Sequence, residues 1–338
     1  MDLANVPAPP RPGLDQRLAS MIVDPRDLPF VYLILQCLAL AALGVGLFFA
    51  GPWFWYLAPL YWVALLVGLE DRFILMLHCT SHRQLFKAEH RHLNYVIPWI
   101  VGPFFGETPE TYFAHHMGMH HPENNLAGDG SSTMKYRRDR LAHWLQYAGT
   151  FMVAGLPLLA LYHLRKGNKK MLARLLVGEL SFIAMVSALC TFNARAALAV
   201  FVFPVIAVRI LMMAGNWAQH AFVDLADGGN PYRNSITCIN TRYNRRCFND
   251  GYHIHHHVKA RCHWSELPEE FETNKEEYGR QDAVVFEGVD FFQVWMLLMA
   301  QRWTTLAKHF VQLPGAPVRD QAAVIAFLQQ RSRPSTAD

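Results

Sequence analysis

Residues 251–264 read GYHIHHHVKARCHW, and four of the first seven are histidine: His253, His255, His256 and His257. Imidazole is neutral near pH 7 and offers one lone pair to a borderline metal ion, so histidine at this density points to coordination. On a helix, His253, His256 and His257 stand at i, i+3 and i+4 and share one face, while His255 points away. Two similar clusters lie upstream: His78 and His82 in HCTSH, and His116, His120 and His121 in HHMGMHH. Positions four apart are again expected to stack on one helical face. A single histidine, His220, closes GNWAQH. Nine histidines in four places suffice for two metal ions, and no one cluster would.

The chain has 338 residues, enough for one large domain or two small ones. Charged residues make up 17% and hydrophobic ones 52%, a balance that leans toward the membrane. The formal charge of +4 is mild and argues for no nucleic-acid partner. Six cysteines show no CxxC spacing, so neither a zinc site nor a disulfide framework is indicated. The opening MDLANVPAPPRPGLDQR has early acids and prolines and no apolar core, unlike a cleavable signal, and residues 1–30 read as a cytoplasmic segment.

Residues 31–50 run twenty positions without a charge, long enough to cross a hydrocarbon core of about 30 Å. After the turn at Gly51, Pro52 and Trp53, residues 54–69 return, and their helix should continue through Glu70, Asp71 and Arg72 to carry His78 and His82 into water. Residues 93–105 are apolar but too short to span, and Pro98 and Pro103 interrupt them, which fits a re-entrant or interfacial segment. Three more apolar runs follow, at 147–164, 175–192 and 196–215. If all three crossed, His220 and His253 would lie across the membrane from His78 and His120. Arg137, Arg138 and Arg140 precede the first run, and Arg165, Lys166, Lys169 and Lys170 follow it, so both of its ends look cytoplasmic. The expected fold is therefore all-α, with four transmembrane helices in two hairpins. The 147–164 run lies in the interface or dips into the membrane, and a cytoplasmic cap carries the histidines. Residues 284–311 read as an amphipathic helix on the membrane, closing a catalytic domain at 31–311. The tail, 312–338, reads as weakly ordered from Pro314.

HCTSH, HMGMHH and YHIHHH, with Asn216 four residues before His220, resemble the histidine boxes of the membrane-bound fatty acid desaturase superfamily. The resemblance covers roughly residues 31–264. It implies a non-haem di-iron centre that activates O2 with electrons from an outside donor of cytochrome b5 or ferredoxin type. Carried over by position, the ligands are His78, His82, His116, His120, His121, His220, His253, His256 and His257, and Asn216 reaches one iron through water. His115 and His255 sit beside the boxes, off the ligand face, and would support ligand orientation. The three residues between His116 and His120 are a wider spacing, shared by hydroxylase branches of similar enzymes. A bacterial branch similar to this family decarboxylates free fatty acids to 1-alkenes.

The residues by themselves lead the same way. Removing hydrogen from an unactivated CH2 needs a redox-active metal, which zinc is not. The expected activity is O2-dependent oxidation of a fatty acyl chain at the cytoplasmic face of a bacterial inner membrane or the endoplasmic reticulum. Desaturation leads, and decarboxylation and hydroxylation follow. A membrane metal carrier fits less well, because the spans hold almost no ligands at mid-bilayer. The basic runs at 137–140, 242–246 and 259–261 suit lipid headgroups or an acidic donor protein. Two charges stand inside the second hairpin. Glu179 and Arg209 are each fifteen residues from Ala194, so antiparallel arms put them at one depth as an ion pair. Alternatively Arg209, on the face of Asn216 and His220, holds a substrate carboxylate.

Overall fold

The structure, a computed structural model, describes residues 4–334, so the outermost residues of both expected terminal segments lie outside it. The chain divides into two compact units, each discontinuous in sequence. A helical unit comprises Pro7–Gly118 and Ala160–Arg209, and a sheet-bearing unit comprises Met1–Val6, Met119–Leu159 and Ile210–Asp338.

In the helical unit, the Leu28–Gly46 helix is capped by 3-10 turns at Leu47–Phe49 and Gly51–Trp53. The return path is helical from Phe54–Val63 through a π turn at Ala64–Leu69 into Glu70–His82, which delivers the first box at its last turn. Residues 88–105 form short 3-10 and π turns and no α-helix, as the two prolines require. The following turn needs Gly106, whose φ of 76° is left-handed and whose Cβ would stand 2.6 Å from the Pro204 carbonyl oxygen.

The Lys169–Ala197 helix breaks at Asn193 (φ −153°, ψ 91°), where the side chain accepts from the Ala196 amide and donates to the Phe48 carbonyl. The chain folds back there. Arg209 Nη2 lies 3.6 Å from Glu179 Oε1, and Thr108 and Thr111 donate their hydroxyls to the same oxygen. The expected pairing of these two charges is therefore present, and it ties the two arms at one depth. Leu35, Leu43, Trp55, Leu60, Leu180 and Ile183 are exposed along these helices, an apolar exposure that suits lipid.

Among the described residues, three helical stretches are long and apolar enough to cross a membrane: Pro25–Phe49, Leu141–Arg165 and Lys169–Gln219. The last contains both arms of the second hairpin. Leu141–Arg165 has the length and composition of a span, so hydropathy alone does not assign it to the interface.

The sheet-bearing unit departs from the all-α expectation. Ile236–Ile239 (β1) and Val284–Glu287 (β2) pair in parallel, Ile236 opposite Val284 and Ile239 opposite Glu287. Both faces are covered, so the strands are buried without alternation, including Thr237, up to the exposed Glu287 at the end of β2. Cys238 and Phe286 pack against Phe222, Phe291 and Leu328, while Val285 packs with Tyr252, Phe271 and Tyr278. The expected amphipathic membrane helix at 284–311 is instead β2 followed by two short helices, Phe291–Met299 and Trp303–His309. Gly288 (φ 74°) ends the strand, and a capping box between Asp290 and Gln293 restarts the chain as helix. Gln301 (φ 56°) ends that helix in turn. Phe291, Val294, Leu298 and Leu306 are buried in protein, so that face has no lipid left to meet.

The tail also differs from its expected weak order. Gln321–Arg331 is a helix that buries Val324 and Leu328 in the same core. Arg138 explains the attachment: it is fully buried, and its guanidinium donates to the carbonyls of Ala221 at 2.9 Å, Arg331 at 2.9 Å and Arg333 at 2.6 Å. One member of the basic run at 137–140 is thus a structural clamp and unavailable to a headgroup or a docking partner.

Candidate metal centre

Each unit gathers its own histidines. In the helical unit, the Glu70–His82 helix presents His78 and His82 one turn apart, and His116 joins them; one ring nitrogen from each lies within 4.8 Å of the others. His82 Nε2 and His116 Nε2 are 3.0 Å apart, and Tyr112 stacks on the His116 ring. His163, near the end of the Leu141–Arg165 helix, is fully buried. Its Nε2 lies 3.0 Å from the Ala114 carbonyl oxygen, and its ring leaves no room for a Cβ at Gly118. The glycine of HMGMHH exists to let this ring approach.

The second box does not stack as expected. Residues His116–His120 wind as a π turn, an arrangement frequent at functional sites, rather than as an α-turn. His116 therefore faces the first-box histidines, whereas His120 belongs to the cluster of the other unit.

In the sheet-bearing unit, His120, His220 and His257 offer nitrogens within 4.8 Å of one another. His121 and His256 meet at 3.2 Å through their Nε2 atoms, and His253 and His257 at 3.0 Å. The third box is the short His253–Val258 helix, and its entry is fixed by Gly251. The Gly251 amide donates to Asn244 Oδ1, its carbonyl accepts from the Cys238 amide of β1, and a Cβ would stand 2.2 Å from Asn244 Oδ1. The sheet is thus the anvil on which the third box is set.

Two lone pairs pointed at each other across about 3 Å repel, unless a cation or a proton lies between them. Two imidazole nitrogens at right angles around a metal, each about 2.1 Å from it, stand about 3.0 Å apart. The contacts at 3.0 and 3.2 Å match that spacing. The far side of the rings supports the same assignment. His120 Nδ1 lies 2.7 Å from Asp129, so the proton sits there and Nε2 is bare. His220 Nδ1 donates to the Asn234 carbonyl at 2.8 Å, and its buried Nε2 has no hydrogen-bond partner among the described residues. Burial, with the neighbouring imidazoles, pushes His220 down to about 4 and His257 well below its ordinary value, so both stay neutral. Neutral rings with bare, convergent nitrogens are what a first-row transition metal requires, and the residues fit iron.

Asn216 donates its amide to Tyr147 Oη at 2.7 Å and to the Ser131 carbonyl at 3.0 Å, which fixes its side chain four residues before His220. His115 is half-buried one residue before His116. His255 is buried with Nε2 3.4 Å from Glu270, on the opposite side of the helix from the ligand candidates. His255, Cys262 and Glu270 also offer ligand atoms within 4.8 Å of one another. Lys259 already neutralises Glu270 at 2.8 Å, so this grouping ties the third box to the Leu267–Thr273 helix. Arg209 is committed to Glu179 and Thr108.

Sequence reading missed Asp129. It lies in the polar stretch after the second box, and nothing in ENNLAGDGSS separates it from an ordinary turn. Yet its side chain is fully buried and accepts from the Asn125 amide and from the amide and hydroxyl of Ser131, besides holding His120. Asp129→Asn removes the anion that orients His120. Metal retention against a chelator should fall about 10–100-fold while the protein still elutes as a folded species. Unchanged retention would remove Asp129 from the site.

No curated protein and no solved structure gives a significant match. The profile of the fatty acid desaturase family matches residues 58–289, a stretch that contains all nine candidate ligands. The match covers more than half of the chain, and the chain belongs to the fatty acid desaturase family.

Proposed function

We propose that the protein is a membrane oxidase of fatty acyl chains in which the nine box histidines hold two irons and O2 is the oxidant. The observation that carries this reading is the convergence of imidazole nitrogens at about 3 Å in each unit, with buried partners that orient His120 and His220 in the sheet-bearing unit. Bound iron would supply reversible one-electron chemistry with O2, which zinc lacks. The chain's own residues orient and shield. Asp129 and the Asn234 carbonyl fix which nitrogen of His120 and His220 is bare, and Asn216, held by Tyr147, offers an amide beside His220 that can position a water. Desaturation is the leading outcome: two hydrogens from adjacent carbons, two electrons and two protons convert one O2 to two waters. Oxidative decarboxylation of free acids to 1-alkenes and hydroxylation begin with the same hydrogen removal.

The two electrons must come from a donor protein of cytochrome b5 or ferredoxin type. Arg242, Arg245, Arg246, Lys259 and Arg261 are exposed on the sheet-bearing unit and suit an acidic partner. Acyl substrate and bilayer are the remaining partners.

We further propose four spans, at 31–50, 54–69, 175–192 and 196–215, with Leu141–Arg165 along the cytoplasmic interface. Cations flank both ends of that helix, and each end is tied within its own unit to a residue near a box: Tyr147 to Asn216, and His163 to the Ala114 carbonyl. Cysteines placed at Arg140 and Lys169 should both be labelled from the cytoplasmic side, and one at Ala194 from the opposite side. Opposite accessibility of Arg140 and Lys169 would contradict this topology.

The functional test is mass spectrometry of lipids and headspace volatiles from cells expressing the protein with each donor type, in air and without O2. New double bonds, 1-alkenes or hydroxyacids should appear only in air, and added salt should slow turnover in purified reactions with the donor. No acyl product under any condition would reject the oxidase reading.

A further inference from the structure

The helical unit contains a cavity of about 710 Å³ whose wall includes His82, Leu77, Phe113, Arg91, Glu107 and Arg174. A second cavity of about 690 Å³ shares Glu110, Tyr95 and Arg174 with the first and adds Lys170 and Val177. Arg174 therefore stands between an outer space and one that reaches the first box. Its guanidinium lies 3.9 Å from the Phe113 ring centroid, and Nε donates to Glu110 at 2.6 Å. Glu110 is fixed in turn by Trp99 Nε1 at 2.8 Å. A guanidinium carries five N–H donors, so one carboxylate leaves an edge of Arg174 open while holding it in orientation. Arg91 is exposed and has no ion-pair partner among the described residues. The cavity's other acid, Glu107, is lifted by burial to about 7, so below that pH its charge opposes an anion little.

From this arrangement we propose that the cavity binds the carboxylate of a free fatty acid, with Arg91 at the mouth and the open edge of Arg174 as its anchors. The proposal rests on the reading that the box histidines oxidise acyl chains, and it replaces Arg209, whose guanidinium is held by Glu179, as the residue that reads the acid. An acid anchored there brings the carbons nearest its carboxyl, rather than a distant mid-chain pair, toward His82.

The test uses iron-loaded full-length protein in detergent, with equilibrium binding of dodecanoate, its methyl ester and its coenzyme A thioester read by thermal stabilisation and competition. Arg91→Gln and Arg174→Gln should each weaken dodecanoate about 10–100-fold, leave the methyl ester within about twofold and leave iron content unchanged. Arg174→Lys should retain part of the affinity, because it keeps the charge without the fork. Arg209→Gln should show no preference between acid and ester. Arg174→Gln leaves Glu110 unpaired; if it fails to fold, the exposed Arg91→Gln decides alone. Equal loss for acid and ester, no loss at Arg91, or acid-selective loss at Arg209 instead would overturn the proposal. Acid-like behaviour of the thioester would also overturn it, by assigning the anion to a phosphate. Binding is read apart from turnover, so acid-selective losses in a protein that yields no acyl product would refute the oxidase reading alone. Normal acyl oxidation without selective losses would refute the anchor alone.

Discussion

The candidate metal centre depends on keeping its imidazoles close and pointed inward. Rings with nitrogens about 3 Å apart repel one another if all are bare and repel more strongly if protonated. Their arrangement is stable only if a cation joins them and if each outer nitrogen is satisfied. The surrounding structure serves that requirement. Asp129 and the Asn234 carbonyl set the protons of His120 and His220, and burial resists a second proton on His220 and His257. The π turn at His116–His120 gives its two histidines to different clusters.

The scaffold uses two kinds of support. In the helical unit, hairpin arms are pinned by Asn193 at the turn and by Glu179 and Arg209 along their length. A charge inside a bilayer costs about 2.5–3.5 kcal/mol on insertion scales, which is why Glu179 is supplied with an arginine and two threonine hydroxyls. In the sheet-bearing unit the third box is a helix of only six residues, too short to hold itself. Its position comes from β1 through Gly251 and from Glu270 beside His255.

Much of this was legible in the sequence, because histidine spacing and charge-free runs report directly on a helix face and a bilayer. The helix that carries HCTSH, the turn at Asn193 and the Glu179–Arg209 pair follow from those two signals. Most of the failures share a cause. Residues 236–239 and 284–287 pair across more than forty intervening residues, so no local pattern announces a two-stranded sheet buried on both faces. The face of 284–311 looked lipid-bound because its apolar side matches protein core as well as membrane. Asp129 has local partners but sits in a stretch that reads as an ordinary polar turn, whereas His163 and the tail helix draw their roles from partners far along the chain. The buried Arg138, which joins the tail to residue 221, was read as surface charge for the same reason.

The most direct measurement is the metal content of active protein purified in detergent, by elemental analysis of iron and zinc together with activity. The account predicts two irons per chain, lost together with activity in His120→Ala or His256→Ala while the protein remains in the membrane. Stoichiometric zinc in active protein, or full turnover after either substitution, would contradict it.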